Sequence, residues 1–219
     1  GYHEIKEHGK REFPFNIYPC SIPVDFSHVA LHWHEEMEII AVKKGKGRIT
    51  VDTVSYPVEE GDILAVFPGQ LHAISCGNGE RMEYENIIFR LSMLMGDNGD
   101  GCTVHFLKPL QEGQAKNPVL IQRNQPDHEE FGKVIQELDR FSEIRGNGYQ
   151  LVVKGQLFLF LYYAYGRGIL FTEKKPGHAR EKIKGILEYI REHFGEEITI
   201  RQAAELCFYS ESHFMKYFK

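Results

Sequence analysis

Between Val29 and about Arg90 the apolar positions fall in short stretches: Glu38 to Val42, Arg48 to Val51, Ile63 to Phe67, His72 to Ser75 and Tyr84 to Phe89. Gly, Pro and Asn break each stretch from the next. Short strands spaced in this way predict an antiparallel barrel or sandwich. A polar segment, Gly96 to Gly101, follows, and the period then changes. From Asp127 the apolar residues Phe131, Val134, Ile135, Leu138 and Phe141 recur every three or four positions, which predicts a helix ended by Gly146-Asn147-Gly148. A second helix is expected from Tyr149 to about Tyr165. Its second half, Leu157 to Tyr163, is apolar nearly all round, so more than one of its faces must be covered.

Gly166 to Gly177 reads as a linker, and a third helix is expected from about Ala179 to Phe194 with Ile183, Ile186, Leu187, Ile190 and Phe194 as its apolar stripe. Thr199 and Gln202 then match a capping box, which marks a new helix start. Ala203 and Ala204 are small enough for a crossing helix to approach closely, and Leu206 is placed in the core. Cys207-Phe208-Tyr209 is the expected turn, and Ser210 caps a last helix through Lys219. Two short helices joined by a tight turn predict a helix-turn-helix.

Composition adds bounds. A chain of 219 residues, 42% hydrophobic and 26% charged, has enough apolar matter for one large or two small domains. Its four cysteines, Cys20, Cys76, Cys102 and Cys207, lie far apart, which suggests neither a disulfide framework nor a thiolate metal site and points to a reducing cytoplasm. The longest apolar run, Leu157 to Ala164, is far short of a bilayer span, so no membrane is expected as a partner. The first residues lack the pattern of a secretory leader. The net charge is −5, yet from Lys174 onward nine Lys and Arg face seven Glu, an excess of two positive charges that leaves −7 on the residues before. So small an excess fits a solvated surface as well as nucleic acid. A start at Gly1 and a stop at Lys219 inside a helical pattern suggest that the natural protein is longer.

The most reactive group of residues is His32-Trp33-His34-Glu35-Glu36-Met37-Glu38. Two residues apart in a strand, His32 and His34 project from one face, and Glu38 shares their parity. Gly61-Asp62 through Pro68-Gly69 then lead to His72. Three imidazoles and a carboxylate suit a divalent ion such as Zn, Ni, Mn or Fe and leave open positions on it. Trp33, Phe67, Tyr84 and Phe89 are candidates for an apolar lumen around them. Glu35 and Glu36 read as a solvated pair at a turn.

These two segments resemble the two cupin motifs: His-x-His with Glu38 four residues on and Gly45 beyond it, then Gly61, Pro68-Gly69 and His72. Phe67 and Cys76 depart from the pattern, standing where cupins often carry Pro and Asn. Ile198 to Lys219 resembles the first of the two helix-turn-helix units of AraC-family regulators. Together the two resemblances imply an α+β chain: a cupin-like antiparallel β-barrel (double-stranded β-helix), a helical segment and a partial all-α helix-turn-helix domain. The expected divisions are 1–125 for the effector-binding barrel, 126–168 for a dimerisation segment, 169–178 for a linker and 179–219 for the truncated DNA-binding unit.

The implied function is a cytoplasmic, ligand-responsive DNA-binding transcription regulator, homodimeric and not an enzyme. Its partners would be double-stranded operator DNA and a small-molecule effector, with a sugar as the first expectation by analogy with family members. The effector would meet Trp33, His32, His34, Glu38 and His72. No cofactor is required, although the same His32, His34, Glu38 and His72 match the metal positions of metallocupins. Ser212, Met215 and Lys216 would face base edges and Lys219 a phosphate, while Phe214 and Phe218 pack inward. The alternative is a metal-dependent cupin enzyme, an isomerase or dioxygenase. The C-terminal unit argues against it.

Overall fold

The computed structural model describes residues 2–3, 9–171, 178–196, 198–206, 211 and 214–215. Among them the strands are β1 (Tyr2–His3), β2 (Phe15–Ile22), β3 (Val29–Trp33), β4 (Met37–Val51), β5 (Val54–Glu59), β6 (Ile63–Val66), β7 (His72–Ser75), β8 (Met82–Phe89) and β9 (Val119–Ile121). The separate strands expected at 38–42 and 48–51 are one long element, β4. Its first half pairs antiparallel with β8 and β6, and its second half with β5 and β7.

Gly45 makes this double membership workable. The ladder to β8 shifts register between Val42 and Lys44, and Gly45 has φ +80°, where a side chain would collide with the carbonyl oxygen of Arg81. The irregularity also switches the face that points inward. Ile40 and Val42 belong to the inner core before it, and Ile49 and Val51 after it, where an unbroken strand would have kept even-numbered residues inside. Leu64, Val66, Ile74, Met82 and Tyr84 complete that inner core.

The opposite face of the β4–β8 sheet is also buried. Met37, Ile39, Ile87 and Phe89 share a second core with the helices that follow. Short helical turns at Leu91–Met93 and Thr103–Leu107 lead to α1 (Lys108–Gln111), and α2 (His128–Ile144) and α3 (Tyr149–Gly166) form an antiparallel pair. The periodic residues of α2 that were read as its inner stripe, Phe131, Val134, Ile135 and Leu138, are buried. Phe131 meets Phe160 of α3 edge-on at 5.1 Å. The pair is tied to the barrel at its far end: Arg167 donates to both carboxylate oxygens of Asp127 at 2.7 Å and to the Leu120 carbonyl of β9 at 3.0 Å.

More than one face of α3 was expected to be covered, but the single chain covers only part of its apolar surface. Val153, Leu157, Phe160, Leu161 and Ala164 are buried, whereas Leu151, Phe158, Leu159 and Tyr162 are exposed in the single chain. Beyond Phe171 come α4 (His178–Glu192) and α5 (Ile200–Leu206). Thr199 and Gln202 do form a reciprocal cap, with the Gln202 amide donating to Thr199 Oγ1 at 3.2 Å and the Thr199 amide to Gln202 Oε1 at 2.9 Å.

Ile186, Ala203, Ala204 and Phe214 are buried in one small cluster. Two apolar residues expected inside are out: Phe194 lies past the end of α4 at 86% exposure, and Leu206 is 45% exposed. The expected turn 207–209 and the Ser210 cap lie outside the described residues.

Candidate metal and ligand centre

β3 and β7 place three imidazoles side by side. In the antiparallel register His32 stands directly opposite His72, and their rings lie 4.1 Å apart between centroids. His34 is just beyond the end of β3, and its ring is 5.0 Å from that of His72. Glu38 projects from the start of β4 into the same space. One ligand atom from each of the four lies within 4.8 Å of all the others, and all four residues are buried at 4% exposure or less. The cluster inferred from strand parity is therefore assembled.

The ring orientations are set by the backbone. His32 Nδ1 is 2.9 Å from the Ala30 carbonyl, His34 Nδ1 is 3.1 Å from that of Glu36, and His72 Nδ1 is 3.0 Å from that of Gln70. A carbonyl can only accept, so each Nδ1 carries a proton, and Nε2 is the ring atom left to serve the cluster. Nε2 of His34 and Nε2 of His72 both lie 2.9 Å from Glu38 Oε2. Lone pairs facing a carboxylate repel unless a positive charge stands between them, either protons or a metal ion.

The electrostatics sharpen the point. Burial first, and then the neighbouring His72, push His32 down to about 3, so it stays neutral. Burial opposes ionisation of Glu38 too, but the imidazoles of His72 and His34 outweigh it and hold the carboxyl well below its usual range. Protons on Nε2 of His34 and His72 produce that depression; with a metal ion in place of those protons, the buried carboxylate and the aimed imidazole nitrogens make a donor set for a divalent cation.

Several residues around the cluster have no signature in the sequence. Gln70 is buried; its Oε1 accepts from the Phe67 amide at 2.8 Å while its carbonyl orients His72, so one residue clamps the Pro68-Gly69 turn and aims a ligand. Position two before a ligand is the only clue the chain offers. Glu36, read as solvated, is 4% exposed and accepts from Arg90 Nε at 2.8 Å, with its other oxygen 3.7 Å from His34 Nδ1. Glu35 fits the exposed reading.

The aromatic lining differs from expectation. Tyr84 does lie in the inner core, its hydroxyl beside Cys20 and held up in pKa by burial. Phe67 and Phe89 lie instead in the outer core against the helices, because Phe89 pairs with Met37 and alternation sends both away from Glu38. Trp33, one residue out of phase with His32 and His34, likewise leaves the cluster. It sits on the rim, half-buried, with Leu31, Leu71 and Leu187. Of the residues expected at DNA, Met215 is half-buried next to the buried Phe214. Ser212, Lys216, Phe218 and Lys219 lie outside the described residues.

A barrel that presents an inward ligand cluster and bears a helical pair on its outer face is a cupin-type ligand-binding domain. The AraC-like ligand binding domain family matches residues 23–161, which span the barrel from the end of β2 into α3. The chain belongs to that family, and with it to the ligand-responsive AraC regulators. It is 21% identical over 99% of its length to the HTH-type transcriptional regulator YdeC of Bacillus subtilis (strain 168), of which it covers 74%. It is 25% identical over 85% of its length to YbfI of the same organism, of which it covers 64%. Among solved structures, ToxT from Vibrio cholerae O395 aligns with 95% of this chain and 74% of its own, at 12% identity and a TM-score of 0.42. Among the described residues, no helix is long and apolar enough to cross a membrane.

Proposed function

We propose that this chain is the sensory part of a cytoplasmic transcription regulator whose barrel holds a divalent metal ion at His32, His34, Glu38 and His72. The observation that carries the reading is the convergence of two carbonyl-oriented imidazoles, His34 and His72, on one oxygen of Glu38, with a ligand atom of the likewise oriented His32 within 4.8 Å of theirs. Four donor atoms this close leave space for an ion rather than a sugar among them. An effector would meet the ion through open coordination positions, and a sugar is one molecule able to do so. The metal-dependent isomerase or dioxygenase reading uses the same four residues. Membership of a regulator family weighs against it.

Zinc calorimetry tests the metal. Zinc should bind the wild-type chain with a stoichiometry of one, and Glu38→Gln should weaken binding by more than the roughly 10–100-fold typical of losing an outer-shell partner. Equal affinity in the two proteins would sink the reading.

The same proposal assigns operator DNA to Ser212, Met215, Lys216 and Lys219 and a homodimer to the exposed face of α3, supported by Leu151, Phe158, Leu159 and Tyr162 in the single chain. A gel-shift titration of the full-length protein addresses both. Lys216→Ala should weaken operator binding, since a long cation in the major groove donates to guanine. Tyr162→Glu should convert a dimeric complex into a weaker one. Unchanged binding by both variants would refute the assignments.

A further inference from the structure

We infer that α4 senses the state of the ligand cluster directly, through Trp33 and Leu71, and that occupancy of the cluster favours α4 docked on the barrel rim. The inference rests on the metal reading above and concerns how that site is regulated.

The seat of α4 is made from the segments that carry the ligands. Trp33 stands between His32 and His34, and Leu71 immediately precedes His72. Lys184 of α4 lies with its Nζ 3.9 Å above the centre of the Trp33 ring, at only 9% exposure. Leu187, three residues on and so on the same face of α4, packs with Leu71, Leu31 and Trp33. At Gly69, in the turn that Gln70 clamps, an added Cβ would come within 3.0 Å of Lys184 Nζ. α4 also runs beside β1, whose backbone pairs in parallel with His32 and Trp33. Three of the four ligands therefore belong to backbone that α4 touches.

α4 has a second face. Ile186 joins Ala203, Ala204 and Phe214, so the helix that rests on the rim is also a wall of the cluster holding α5 and the helical turn at Phe214. A shift of α4 against the barrel carries those elements with it. The joint is not solidly packed: a cavity of about 400 Å³ opens beside it, lined by Trp33, Glu35, Gly69, Arg90 and Lys184 among others. Among the described residues the joint includes a cation–π pair and a few apolar side chains beside that cavity, an interface small enough for α4 to exchange between docked and released. Drawing His32, His34 and His72 onto one ion stiffens β3 and the turn before β7, and a firmer seat favours the docked form.

Trp33 is the chain's only tryptophan, so its fluorescence reports on the joint without labelling. The experiment measures acrylamide quenching of Trp33 and hydrogen exchange of α4 amides in the whole chain, with and without zinc, alongside zinc calorimetry. Leu187→Ala removes the seat, and Lys184→Met removes the charge while keeping the length. Zinc should lower quenching of Trp33 and slow exchange in α4 in the wild type. Both responses should vanish in Leu187→Ala, and by linkage that variant should bind zinc about five-fold more weakly or worse. Lys184→Met should retain a reduced response. Zinc binding with equal affinity to wild type and Leu187→Ala, without change in α4 exchange, overturns the coupling and leaves the metal site standing. Calorimetry that detects no zinc binding overturns the metal reading, and the coupling with it.

Discussion

Among the described residues, the barrel with its two outer helices and the C-terminal helical piece differ greatly in the apolar cores that hold them. The first has two continuous cores, one inside the strands and one between the β4–β8 face, α2 and α3. In the second, the described residues contribute a cluster of four fully buried side chains and a rim contact centred on Leu71 and Leu187. Burial stabilises roughly in proportion to apolar area, so the barrel has the larger reserve of stability among the described residues. A ligand cluster needs rigidity to hold its geometry, and an output element needs freedom.

Perturbing the outer core should give the largest effect. Phe131 is fully buried and packed on Phe160, so Phe131→Ala is expected to cost about 3–5 kcal/mol and to lower the main thermal transition of the barrel, followed by circular dichroism. If the main transition does not move, the helices are not part of the rigid unit.

The next largest effect belongs to the ligand end. Gln70→Leu leaves the Phe67 amide without its side-chain acceptor inside the protein, which should cost about 1–3 kcal/mol in a denaturant titration. The same change should weaken zinc binding, because the turn that aims His72 is loosened. A variant as stable as wild type but poor in zinc binding would mean that the clamp orients without stabilising.

The smallest effect should come from the C-terminal piece. Thr199→Ala removes the reciprocal cap of α5 and should cost about 1 kcal/mol locally. Amide exchange in residues 200–206 should quicken while the barrel amides and the main transition stay as they were. A matching loss of barrel stability would erase the contrast between the two regions.

How far the site could be read in advance depended on periodicity. His32, His34 and Glu38 share a parity that any strand imposes, and His72 followed from the likeness of the two motifs, so the cluster was legible without coordinates. The stripe of α2 and the cap of α5 were equally legible, since each depends on residues close in sequence. Trp33, Phe67 and Phe89 were assigned to the lumen on aromatic character alone, and alternation across each strand placed all three elsewhere. The burial of Glu36 could not be foreseen, because its partner Arg90 comes from just past the end of β8, 54 residues away.

The chain by itself determined the helices α2 and α3, the identity of the ligand set and the cap that begins α5, because the physical causes of these act within a few residues. Tertiary structure decided three other things. The bulge at Gly45 joined two expected strands into one and reversed the inward face; Gln70 became the clamp behind His72; and α4 came to rest on Trp33 and Leu71. Each depends on which segments, distant in sequence, are brought together, and no local preference encodes that choice.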